Sequence, residues 1–95
     1  MTKNEIINAI RSHREILDRH RVRSMSLFGS YVRNEQQDGS DVDLLVEFEN
    51  PTYRNYIGLL TELQNLVGCK IDLVCREGLK QRIVPLILEE AHAIR

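Results

Sequence analysis

The chain lacks any apolar run long enough to cross a bilayer as a helix. Its first ten residues, MTKNEIINAI, lack the apolar core of a secretory signal. A soluble, cytoplasmic protein with no membrane partner is expected. Cysteine is scarce. Cys69 and Cys75 flank the segment CKIDLVC, and as a strand this sets their Cα atoms roughly 20 Å apart. A disulfide needs less than about 7 Å, and no histidine lies close enough in sequence to complete a zinc knuckle. Both therefore read as small buried hydrophobes. No GxxxxGK[ST] motif occurs, which excludes a P-loop NTPase. Net charge is -1, so there is no global cationic field and direct nucleic-acid binding is not expected. Repeats, low-complexity tracts and linkers are also missing. With 95 residues, 1–95 reads as one domain near the small end of what folds without staples.

What is there is unevenly placed. Arg11, Arg14, Arg19, Arg21 and Arg23 crowd residues 11–23, whereas residues 35–50 carry six acids and no lysine or arginine. Thr2 and Glu5 have capping-box spacing, and Ile6, Ile7, Ile10 and Leu17 continue an apolar helical stripe to about Arg19. VRSMSLF (22–28) reads as a strand ending at Gly29, followed by a short helical turn from Ser30 to Arg33. After the polar loop NEQQDGS comes a second strand, with Val42, Leu44, Val46 and Phe48 on one face. Residues 53–67 return to helical period, with Gly68 placed to terminate the helix. In KIDLVC, Ile71 and Leu73 face the core and Asp72 faces away. A last helix follows Gly78, with a break or fresh start at Pro85. The expected architecture is an α+β or α/β two-layer fold, a small sheet covered on one face by helices. Ile83, Val84, Leu86, Ile87 and Leu88 are apolar on more sides than one sheet covers. They point equally to burial within the chain and to burial in a homo- or hetero-oligomer.

The chemistry concentrates in LFGSYVRNEQQDGSDVDLLVEF. Asp41 and Asp43 are two apart on a strand, so both leave the same face at about 6.5–7 Å. Ionised carboxylates that close repel one another unless a cation compensates them, and hard oxygen ligands suit Mg²⁺. Asp72 would leave the same sheet face if its strand neighbours residues 42–48, and three carboxylates suffice for a two-metal site. Gly29 lets a phosphate approach the main chain, Ser30 offers a hydroxyl donor, and Arg33 adds charge one turn on. Alone, a DxD or a Gly-Ser pair says little. Strand, Gly-Ser, ten residues, Asp-x-Asp opening a strand and one further strand aspartate say considerably more. The phosphate turn also argues against a two-metal nuclease.

This pattern resembles the DNA polymerase β-like nucleotidyltransferase superfamily, and SLFGSYVRNEQQDGSDVDLLVEF with KIDLV is similar to its minimal nucleotidyltransferase (MNT) branch. The resemblance implies a mixed sheet of the polymerase β palm type. It implies Asp41, Asp43 and Asp72 as catalytic metal ligands, and Gly29, Ser30 and Arg33 as nucleotide-binding residues, with Mg²⁺ as cofactor and ATP as substrate. Asn34 departs from the glycine of many relatives, although asparagine tolerates the left-handed turn. MNT proteins are often antitoxins that transfer AMP to a tyrosine of a HEPN-domain toxin, so that toxin is the implied partner. A binding module that inhibits its partner by occlusion, without catalysis, is the alternative.

Overall fold

The computed structural model describes all 95 residues, Met1–Arg95. Helix α1 (Lys3–Arg11) opens on the expected capping box: Thr2 N–H donates to Glu5 Oε1 at 2.9 Å, and Glu5 N–H donates to Thr2 Oγ1 at 3.2 Å. It does not continue to Arg19. The chain breaks at Ser12–His13 and restarts as α2 (Arg14–Arg19). An unbroken helix would set His13 and Arg14 on the stripe of Ile10. The break turns Ile16 into the core beside Leu17, both of which are buried.

Strand β1 (Val22–Phe28) follows Arg21, whose φ is 62°. It pairs antiparallel with β2 (Val42–Phe48), Phe28 opposite Asp43. Helix α3 (Tyr53–Val67) crosses over to β3 (Ile71–Cys75), which lies parallel to β2. After α4 (Val84–Glu90), the two residues of β4 (His92–Ala93) pair with the free edge of β1, which gives the mixed order β3-β2-β1-β4. Strand β4 is too short to show alternation, so no sequence pattern announced it.

One sheet face is packed by α1, α2 and α3. Val42, Leu44, Val46 and Phe48 join Ile6, Ile10, Leu59, Leu63, Ile71 and Leu73 in a single buried cluster. Truncating one of these leucines to alanine would cost about 2–5 kcal/mol. Leu45 points to the opposite face yet is buried. It and Val84 of α4 are the two buried apolar residues outside that cluster, and α4 packs near β1. α4 thus shields part of the face from which Asp43 projects, while its own Leu86 stays 66% exposed. Cys69 and Cys75 are free thiols packed at the edge of the core. No helix is long and apolar enough to cross a membrane.

Candidate active site

The turn after β1 is built around Gly29, which has φ +79° and is buried. The Gly29–Tyr31 segment is a single 3₁₀ turn, not an α-helix. Any attraction for an anion therefore comes from individual N–H groups and side chains rather than from a helix dipole of useful length. Val32 and Arg33 N–H both donate to Gly29 O, and Glu35 N–H donates to Ser30 O at 2.9 Å. Asn34 takes φ 58°, the left-handed conformation that asparagine tolerates. Glycine at 29 is required twice over. Its φ disfavours a side chain, and a Cβ there would overlap Asp43 Oδ2 and lie 3.0 Å from Asp43 Cγ.

The parallel register of β2 and β3 sets Asp43 directly beside Asp72, so the expected neighbouring of the two strands holds. Asp43 is half-buried, and its pKa is pushed up, first by burial and then by the charges of Asp72 and Asp41. Asp72 is exposed. Asp41 stands one residue ahead of β2, where Lys70 Nζ approaches its Oδ2 at 3.9 Å. The three carboxylates are close enough to repel, but they are not drawn into a closed set able to hold a metal ion unaided. Asp43 and Asp72 are register partners, and the charges of both Asp72 and Asp41 act on the Asp43 carboxyl. An all-oxygen donor set under like-charge strain fits a hard divalent cation, with the remaining ligands coming from water or phosphate.

Arg33 reaches the same corner and eases the charge on Asp43. Its principal partner is one that sequence reasoning missed: Nη1 donates to Glu90 Oε1 at 2.9 Å and to Oε2 at 3.0 Å, while Nε donates to Glu35 at 3.4 Å. Gly29 N–H also donates to Glu90 Oε1, at 3.3 Å. The available signal was the acidic pair Glu89-Glu90 ending a helix, where negative charge is unfavourable. His20 is held in place: its ring lies against Gly58 and it pairs with Glu62, which Arg19 also engages. Of the three tyrosines, Tyr31 is buried and Tyr56 Oη donates to Leu73 O at 3.0 Å, but Tyr53 is exposed.

The site is an open shelf. None of the three concavities in the surface includes Gly29, Ser30, Arg33, Asp41, Asp43 or Asp72.

Residues 10–94 match the nucleotidyltransferase domain family. The protein adenylyltransferase MntA of Thermococcus cleftensis is 40% identical over 92 residues, covering 95% of this chain and 93% of that protein. MJ0128 of Methanocaldococcus jannaschii, provisionally named for the same activity, is 42% identical over 91 residues (94% and 93%). A solved structure provisionally described as a minimal nucleotidyltransferase superposes with a TM-score of 0.78 at 33% identity, covering 97% of this chain and 95% of that one. A chain of the complex between the tri-AMPylated HEPN toxin of Shewanella oneidensis and its MNT antitoxin shares the fold, with a TM-score of 0.68 at 17% identity (97% and 71%).

Proposed function

The chain belongs to the nucleotidyltransferase domain family, and from that premise we propose that it transfers AMP from ATP to a tyrosine hydroxyl of a HEPN-type toxin, acting as that toxin's antitoxin. The observation that carries the reading is the register pair Asp43–Asp72 beside the Gly29 turn. That pairing brings like-charged carboxylates to the same corner of the sheet as the Gly29 N–H and the Arg33 guanidinium. The adenylyltransferase names of relatives that span nearly the whole chain support the reaction type. The HEPN complex, a likeness of fold, suggests the acceptor.

Asp41, Asp43 and Asp72 are the residues that would hold Mg²⁺, which when bound neutralises triphosphate charge and stabilises the departing pyrophosphate. Everything else falls to the chain. The Gly29 turn receives a phosphate oxygen against the backbone, at the N–H that Glu90 Oε1 occupies when no nucleotide is bound. Ser30 and Arg33 supply a neutral and a charged donor. Asp72, the exposed member of the pair, is the carboxylate an acceptor hydroxyl reaches first, and it takes up the hydroxyl proton. The tyrosine oxygen then forms a bond to the α-phosphorus. The bond from that phosphorus to the oxygen bridging the β-phosphorus breaks, and pyrophosphate leaves with the electron pair. The open shelf leaves the acceptor side to be completed by the partner, in line with an enzyme whose substrate is a folded protein.

The test separates catalysis from occlusion. Co-expression of the HEPN partner with wild-type protein should restore growth, and co-expression with Asp43→Asn should not, although both chains bind the partner. Protection by Asp43→Asn equal to wild type would overturn the transferase reading.

A further inference from the structure

Glu90 makes contacts that the helix bearing it does not explain. It is the last residue of α4, where a negative charge opposes the carbonyl end of the helix. Its carboxylate instead reaches across to the turn after β1. There it accepts from Gly29 N–H and, through both oxygens, from Arg33 Nη1. A main-chain N–H beside a guanidinium is the donor pair a phosphate oxygen takes. Glu90 therefore holds, with an anionic group of this same chain, the donors that the proposed function assigns to the nucleotide.

Both partners of the Arg33–Glu90 pair are partly exposed, at 46% and 36%. An ion pair so exposed is weak and easily exchanged. Nor is Arg33 locked as a parallel fork, because one nitrogen serves both oxygens. The carboxylate is thus a displaceable occupant rather than a structural clasp. It keeps Arg33 near Gly29 when no nucleotide is present and gives way to a polyanion of higher charge.

We propose that Glu90 is an internal competitor for the phosphate-binding turn, so that nucleotide binding requires its carboxylate to leave Gly29 and Arg33. This inference rests on the proposed function for the identity of the ligand, but its competition element needs only a polyphosphate. Glu89, the preceding residue, carries the same charge and lines the concavity beside Arg76 and Leu79. It makes none of the contacts Glu90 makes to the turn, so it serves as a control for any general change in surface charge.

Calorimetric titration of inorganic tripolyphosphate, and of a non-hydrolysable ATP analogue with Mg²⁺, into wild type, Glu90→Gln, Glu90→Ala and Glu89→Gln tests the idea. Both Glu90 variants should bind each probe about three- to tenfold more tightly than wild type, the scale of one charge-assisted contact that no longer competes. Glu89→Gln should stay within about twofold, as expected of an exposed charge that makes no contact with the turn. Equal or weaker binding by the Glu90 variants would overturn the inference and make Glu90 a support for Arg33. An equal gain from Glu89→Gln would overturn it too, by reducing the effect to net charge. Failure of all four chains to bind tripolyphosphate would remove it along with the assigned phosphate turn. Tight, Glu90-sensitive binding without any AMP transfer would leave the inference standing and sink only the transferase reading.

Discussion

The carboxylate of Asp43 lies against the α-carbon of Gly29, so closely that a methyl group at position 29 would occupy the space of its Oδ2. The turn assigned to phosphate and the strand assigned to metal are therefore one packed unit, joined where Phe28 pairs with Asp43. A change on either side of that contact must be felt on the other.

Gly29→Ala should damage both at once. Overpacking costs about 1–3 kcal/mol, and a left-handed backbone adds roughly 1 kcal/mol more for a residue with a side chain. Gly39→Ala is the matched control, since Gly39 has a similar φ of +86° but open space around it. Chemical denaturation should show the larger loss for Gly29→Ala, and only Gly39→Ala should keep AMP transfer. Comparable activity in the two variants would contradict the close contact.

Asp43→Asn should abolish transfer yet stabilise the metal-free protein. The native pKa of Asp43 is raised above 3.8, mainly by burial and then by Asp72 and Asp41. The folded state thus binds the proton more tightly than the unfolded state. Its stability falls as pH rises through the interval between the two values, and the penalty is complete at neutral pH. Relief of such a site typically returns about 0.5–2 kcal/mol, here at the low end because the group is solvent-screened, which corresponds to a Tm gain of roughly 2–4 °C. The gain should vanish below about pH 4. It should also shrink when Mg²⁺ or Mn²⁺ is added, because the cation stabilises wild type alone. Scanning calorimetry across pH, with and without metal, checks all three points. A variant less stable than wild type at pH 7 without metal would contradict the assignment.

Glu62→Gln should behave in the opposite sense with pH. The Glu62 carboxyl is held below its usual 4.5, first by the hydrogen bond with His20 and then by that with Arg19. Its contribution is present above that value and is lost as pH falls through the lowered native one. Partial exposure limits the contribution to about 1 kcal/mol or less. Thermal melts should show the variant less stable at pH 6, with the difference narrowing as pH falls below 4.5. A pH-independent gap would mean the contact acts through packing rather than charge.

Much of this was legible in the residues because it is local. The bounds of β1 and α3 follow from apolar period, from the Gly29 stop and from the Gly68 terminator at φ 73°. Alternation in residues 42–48 set the face of Asp43, and the same logic in KIDLVC set that of Asp72. What stayed hidden is tertiary. His20 finds Glu62 across 42 residues and Arg33 finds Glu90 across 57, and neither pair has a spacing that a sequence displays. The approach of Lys70 to Asp41 was hidden for the same reason, since it depends on the register of β2 with β3. The break at Ser12–His13 was hidden for a related reason. The apolar stripe of 6–17 looks continuous by period, and only the packing beneath it decides that Ile16 must turn inward as well.

Transfer of AMP onto a protein hydroxyl is read out by intact-mass spectrometry of the HEPN-type partner. After incubation with this protein, ATP and Mg²⁺, the partner should gain whole multiples of about 329 Da, the mass of ATP less pyrophosphate. Fragmentation should locate the gain on tyrosine, and Asp43→Asn should produce none. A stable, inhibitory complex in which the partner's mass never changes would mean that the chain silences its partner by occlusion and not by AMP transfer.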